Sequence, residues 1–336
     1  MAETKNIGEM AAILARKILP KLYWEEVQGP ADTSWPCEKP EHKKKDHPTD
    51  AVYRFIHPYT GRENYIIFDF KSMASDSIQP TNIVSSLKSM ALTLDCSKVS
   101  ETWNRRYAGD ASHDNIGGLL VYNRDDAYKR DLARHVEGKL FDSFPEQWPQ
   151  VTKRQEIIII DPETITFLNS MYSDLAELES EKQIPDMSKR GFFHPNKILN
   201  DNERLLAPLD YYETPLLPDQ IDSNIIFRCY YSESEKFDFL VYYRDKGESH
   251  EEFMYLFDQL ISYQIVSQAN TIQIRAYDPV DDAFPLFKRA KELFAAYSSH
   301  DDFIVELMME RLDMITFTSF DKKVPKFYEV EVGMPK

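Results

Sequence analysis

Apolar residues return at helical spacing over 6–19, where Ile7, Met10, Ala11, Leu14 and Ile18 fall on one stripe and Pro20 ends the run. The stretch LYWEEV (22–27) reads as a short strand, and residues 28–49, with four prolines and the tract Lys43-Lys44-Lys45, read as an irregular loop. Two runs rich in aromatic and β-branched residues follow, AVYRFI (51–56) and NYIIFDFK (64–71). The intervening His57-Pro58-Tyr59-Thr60-Gly61 makes them a hairpin. After a turn from Ser75 to Pro80, the pattern predicts a helix from Thr81 through Leu94 and a buried strand over 117–122. An amphipathic helix over 125–141 and a fully buried strand over 155–160 complete the series. The order α-β-β-β-α-β-α-β needs a mixed sheet flanked by helices.

Periodicity fails over 176–220, where proline and charge accumulate, and this stretch reads as a linker. A second α+β domain is expected over 221–336, with strands at 224–231, 237–243, 271–277 and 313–320 and helices at 250–268, 284–298 and 301–312. The domain expectation is therefore 1–175, an irregular 176–220, and 221–336. The length of 336 residues suits two domains.

Composition removes several function classes. Only 10 glycines occur, and neither glycine-built nucleotide cradle is present. The longest aliphatic run, Ile157-Ile158-Ile159-Ile160, is far short of the ~20 residues that span a bilayer. Glu3 and Glu9 interrupt the N-terminal apolar pattern, which does not resemble a signal peptide, so a soluble cytoplasmic protein is expected. Cys37, Cys96 and Cys229 lie far apart with no C-x-x-C, so neither a disulfide framework nor a thiolate zinc site is expected. The net charge of −16 is uneven: residues 1–175 hold 22 basic and 26 acidic side chains, residues 176–336 hold 18 and 30. The first half can still present a basic face to phosphates, and the second is poorly suited to nucleic acid.

The hairpin carries the candidate chemistry. Side chains alternate along a strand, so Tyr65, Ile67, Asp69 and Lys71 share one face and Ile66, Phe68 and Phe70 the other. Folding about Tyr59-Thr60 sets position 50 opposite position 69, and directly opposed residues have Cβ atoms ~5 Å apart. Two aspartates that close repel unless a cation sits between them. Mg²⁺ or Mn²⁺, a hard ion with oxygen ligands, fits two carboxylates and a backbone carbonyl, which Phe70 is placed to supply. Lys71 beside the ion would orient a water or neutralise a phosphate.

These residues resemble the PD-(D/E)XK nuclease superfamily. Pro48-Thr49-Asp50 is similar to its loosened Pro-Asp position, Asp69-Phe70-Lys71 to its [DE]-x-K, and Ile7-Gly8-Glu9-Met10-Ala11-Ala12 to its first helix. The resemblance implies a restriction-endonuclease-like αβββαβ core of class α/β followed by a second α+β domain. It also implies a Mg²⁺- or Mn²⁺-dependent DNA endonuclease of a phage-defence or restriction system, with Glu9, Asp50, Asp69 and the Phe70 carbonyl holding the metal and Lys71 positioning water. The long spacer 28–49 departs from the pattern and leaves Asp46 as a substitute for Asp50. Glu25-Glu26 rival Glu9 as the third carboxylate. A catalytically degenerate nuclease-fold subunit acting as a DNA-binding or assembly scaffold is the alternative.

Weaker signals surround this site. Lys43, Lys44, Lys45, Arg105 and Arg106 are candidate phosphate contacts, the last two beside Trp103 and Tyr107, which could stack on bases. Cys37, His42 and His47 suggest a metal finger but lack a fourth ligand and a common zinc spacing. In the acidic half, Tyr230, Tyr231, Tyr242, Tyr243, Tyr255 and Tyr263 form an exposed-looking aromatic set. That set suits a protein interface, so a basic subunit or a second copy is expected as partner for the C-terminal domain, with no membrane partner.

Overall fold

The computed structural model describes residues 2–29, 33–108, 113–130, 132, 156–199, 204–208, 212–230, 237–298 and 302–325. The first apolar stripe becomes helix α1 (Ala2–Ile18), closed by a single 3₁₀ turn (Leu19–Leu22) that carries Pro20 near its start. The expected strand at 22–27 shrinks to β1 (Glu25–Glu26), because that turn takes Leu22 and Tyr23 adopts a left-handed backbone. The proline-rich spacer is not wholly irregular: β2 (Trp35–Pro36) pairs with β3 (Asp46–His47). The predicted hairpin is β4 (Ala51–Ile56) against β5 (Glu63–Met73). Helix α2 (Pro80–Ser97), with Pro80 in its first turn, leads to β6 (Asp114–Asn123), and β7 (Ile157–Ile160) follows. Of the helix expected over 125–141, residues 125–130 form turns and irregular backbone, and all but Leu132 of the rest lies outside the described residues.

These strands form one sheet in the order β1-β4-β5-β6-β7, antiparallel from β1 to β5 and parallel from β5 to β7. β5 is paired along both edges and divides two layers. On one face Val52, Tyr65 and Ile67 pack with Met90 and Leu94 of α2, and Leu119 and Val121 pack with its Ile83, Val84 and Leu87. On the other face Phe68 touches Trp24, Tyr53 and Phe70. Helix α1 lies on this second side: its Arg16 bonds Glu26, whose register partner is Tyr53. Gly118 is required there, because a Cβ would sit 2.4 Å from Cε1 of Phe68.

By contacts, Met1–His57, Gly61–Thr166 and Val324–Lys336 form one compact unit, and Pro58–Thr60 with Phe167–Lys323 form the other, so the main change falls at Thr166/Phe167 and not in the expected linker. One helix, Pro162–Ser180, spans this point and buries Phe167, Met171, Leu175 and Leu178. Within 176–220, β8 (Arg190–Phe192) joins the second sheet, and β9 (Lys197–Leu199) pairs with β10 (Arg204–Leu206). The second sheet adds β11 (Ile225–Cys229), β12 (Phe237–Tyr243), β13 (Ala269–Tyr277) and β14 (Ile315–Phe320) in the order β14-β13-β12-β11-β8. The helices His250–Ser262, Ala283–Ser298 and Asp302–Asp313 accompany it, the first opened by a capping box of Ser249 and Glu252. The expected helix 250–268 is interrupted at Gln264, whose φ of 59° breaks it before the short helix Ile265–Gln268.

The tyrosines Tyr242 and Tyr243 are buried, not exposed. β12 has a strand on each side and a packed layer on each face, so the surface alternation is lost. Tyr243 packs on Phe253, and Tyr242 donates to Asp174 at 2.8 Å. Tyr255 is 72% exposed, Tyr230 and Tyr263 are half-buried, and Tyr231 lies outside the described residues.

Candidate active site

The register of the hairpin brings two aspartates together. Ala51 pairs with Phe68, and the amide of Asp50 donates to the Phe68 carbonyl at 3.0 Å, which puts Asp50 opposite Asp69 one step beyond the ladder. The Asp50 Oδ2 accepts from the Phe70 amide at 2.6 Å, and Lys71 Nζ lies 2.6 Å from Asp69 Oδ1. In a strand the N–H and C=O of one residue leave along the same edge. The Phe70 carbonyl therefore faces the same edge as the amide that reaches Asp50, past the end of β4.

The electrostatics follow from this crowding. Protein packed around Asp50 raises its carboxyl above the ordinary aspartate value, and the neighbouring Asp69 raises it further by charge and by hydrogen bonding. The Phe70 amide and Lys71 oppose the rise without cancelling it. Asp69 and Lys71 are partly exposed, at 24% and 37% of their side chains, so the group stays open to solvent while one of its flanks is the apolar layer of Leu119 and Val121 under α2. An acidic pair with a surplus of negative charge, a backbone carbonyl on the same edge and an adjacent ammonium suits a hard divalent cation.

The other candidates separate. Glu9 is exposed on α1, one heptad from Arg16, on the layer across the sheet from Asp50 and Asp69. No hydrogen bond or ion pair joins it to Asp50, Asp69 or Lys71 among the described residues. Glu25 is held by Arg54 at 2.9 Å and Glu26 by Arg16 at 3.4 Å. Asp46 lies in β3 opposite Pro36 and is exposed, four residues before Asp50. Lys43, Lys45 and Arg105 are exposed, whereas Lys44 donates to Ser89 at 2.8 Å and Arg106 to the Ser34 carbonyl at 2.6 Å. Trp103 and Tyr107 belong to the core under β5, where they cannot serve as a stacking platform.

A mixed five-stranded sheet entered in the order αβββαβ, with Asp50 and Asp69-Phe70-Lys71 where its hairpin ends, is the arrangement of a PD-(D/E)XK core. Residues 1–164 match the family model described as the GAPS4 protein PD-(D/E)XK nuclease domain, a family associated with phage defence. The matched stretch ends two residues before the division at Thr166 and takes in most of the first compact unit, which also includes Val324–Lys336 and leaves out Pro58–Thr60. No curated protein matches the chain. No helix among the described residues is long and apolar enough to cross a membrane.

Proposed function

We propose that the N-terminal unit hydrolyses phosphodiester bonds of DNA with Mg²⁺ or Mn²⁺, as the effector nuclease of an anti-phage defence or restriction system. The observation that carries the reading is the pair Asp50 and Asp69 held side by side, with Asp50 accepting from the Phe70 amide at 2.6 Å and Lys71 tied to Asp69 at 2.6 Å. Asp50, Asp69 and the Phe70 carbonyl would hold the ion. A divalent ion supplies Lewis-acid stabilisation for the charge that builds on a scissile phosphate. Lys71, oriented by Asp69, donates to the attacking water or to a phosphate oxygen. Lys43, Lys45 and Arg105 neutralise backbone phosphates. Glu9 belongs to the set on the resemblance alone, and Glu9→Gln tests it separately. The acidic second unit, which is poorly suited to DNA, would hold a basic protein subunit or a second copy; mass by light scattering with co-expressed neighbours tests that part.

The deciding experiment follows cleavage of supercoiled and linear duplex DNA with Mg²⁺ and with EDTA, for the unaltered protein, Asp69→Ala and Lys71→Ala. Cleavage that needs the metal and falls by at least about 100-fold in both variants supports the reading. Equal cleavage in all three proteins removes this site. Metal-independent DNA binding without cleavage favours the degenerate scaffold.

A further inference from the structure

The spacer that departs from the family pattern holds a second set of chemical groups. Cys37 and His42 lie between β2 and β3, His47 ends β3, and Cys96 projects from the last turn of α2. One ligand atom from each of the four lies within 4.8 Å of all the others. The Sγ atoms of Cys37 and Cys96 are 4.0 Å apart, and Cys37 Sγ is 3.5 Å from His42 Nδ1. A tetrahedral zinc ion with Zn–S of about 2.3 Å and Zn–N of about 2.0–2.1 Å requires S–S edges of about 3.8 Å and S–N edges of about 3.5 Å. His42, His47 and Cys96 are buried and Cys37 is half-buried.

Hydrogen bonding sets both imidazoles to present a bare nitrogen. The Nε2 of His42 is 3.0 Å from Asp95 Oδ2, so this nitrogen carries the proton and Nδ1 keeps its lone pair toward Cys37. Thr93 spends its one hydroxyl proton on the Ser89 carbonyl, so its oxygen accepts from His47 Nδ1 at 3.3 Å. That leaves Nε2 of the fully buried His47 unprotonated, with no hydrogen-bond partner. An orphaned buried nitrogen is costly unless something binds it. The Glu38 amide donates to Cys96 Sγ at 3.3 Å, as a thiolate would favour. Asp95 behind His42 is the carboxylate–histidine arrangement that orients metal ligands.

We propose that Cys37, His42, His47 and Cys96 bind a structural Zn²⁺ ion. Two thiolates neutralise its charge, so the buried site is electrically balanced, and four protein ligands leave no open position for catalysis. Its role is mechanical. The β2–β3 pairing spans two residue pairs, Trp35 with His47 and Pro36 with Asp46, too little to hold by itself. The ion ties this hairpin to α2 and so fixes the chain three residues before Asp50. His47 also packs on Trp35, whose Nε1 donates to Thr49 at 3.1 Å, next to Asp50.

The test measures zinc by elemental analysis in tag-free full-length protein, together with thiol titration after denaturation in chelator. About one zinc per chain and three free thiols are expected. Cys37→Ser, Cys96→Ser and His47→Ala lose the ion, while Cys229→Ser and Asp69→Asn keep it; the last separates this site from the proposed catalytic one. Asp95→Asn weakens zinc about 10–100-fold in chelator competition. Cobalt substitution gives the visible spectrum of a tetrahedral thiolate site, a readout of the unaltered chain that survives any failure of a variant to fold. Folded protein without zinc that takes up none on addition, a Cys37–Cys96 disulfide, or an octahedral cobalt spectrum would each overturn the proposal.

Discussion

Replacing Asp50 by asparagine distinguishes a cation site from an ordinary strand start. The amide oxygen of asparagine still accepts from the Phe70 amide, so the 2.6 Å bond is conserved and the negative charge goes. Opposed residues have Cβ atoms about 5 Å apart, at which two carboxylates repel by about 3 kcal/mol at an effective dielectric constant of 20. Lys71, 2.6 Å from Asp69, returns much of that, and solvent at this half-open site screens more. A net gain of about 1 kcal/mol remains for Asp50→Asn in EDTA, or about 2–4 °C in the melting temperature of a unit of this size. Metal reverses the order. At a free concentration of about 100 times Kd, a bound ion stabilises the unaltered protein by about 2.7 kcal/mol, or about 5–10 °C, and the variant forgoes most of this. Thermal melts in EDTA and in Mn²⁺ should therefore cross, with Asp50→Asn higher in the first and lower in the second. A variant that melts lower than the unaltered protein in both conditions would refute the reasoning, because Asp50 would then be a stabilising cap.

Three further outcomes follow. Gly118→Ala drives a Cβ to within 2.4 Å of the buried Phe68 ring and should destabilise by about 1–3 kcal/mol; an unchanged melting temperature would mean the ring moves freely. Asp174→Ala leaves Arg275 without its buried partner and Tyr242 without its acceptor, and should cost about 3–5 kcal/mol in chemical denaturation; a loss under 1 kcal/mol would count against that network. Burial pushes the Cys229 thiol and the Tyr65 and Tyr122 phenols up to about 12, above the 9 and 10 of the free groups. The unfolded chain releases these protons first, so stability should fall as pH rises from about 9 to 12, and circular dichroism that shows no loss up to pH 11 would contradict the burial argument.

Much of the nuclease-like unit is legible in the sequence because its determinants are local. Turn symmetry alone sets Asp50 opposite Asp69, and the observed pairing of Ala51 with Phe68 is the same register. Alternation along 64–71 likewise separates the Asp69 and Lys71 face from the Phe68 and Phe70 face. Long-range packing hides the rest. Cys96 stands 59 residues from Cys37 and meets it because α2 packs against the sheet face beside the spacer, which no spacing rule reports. Tyr242 and Tyr243 lie on a strand covered on both faces, where alternation carries no information about exposure. The division at Thr166 is masked because the helix Pro162–Ser180 runs through it with no break in its pattern.

Asp50, Asp69 and the Phe70 carbonyl are proposed to bind a divalent metal. Anomalous diffraction from crystals of the full chain soaked in Mn²⁺ tests it most directly. A manganese peak is predicted between the Asp50 and Asp69 carboxylates on the Phe70 carbonyl edge, lost in Asp69→Asn crystals. Manganese bound elsewhere in the unit, with those two carboxylates left uncoordinated at a saturating concentration, would contradict it.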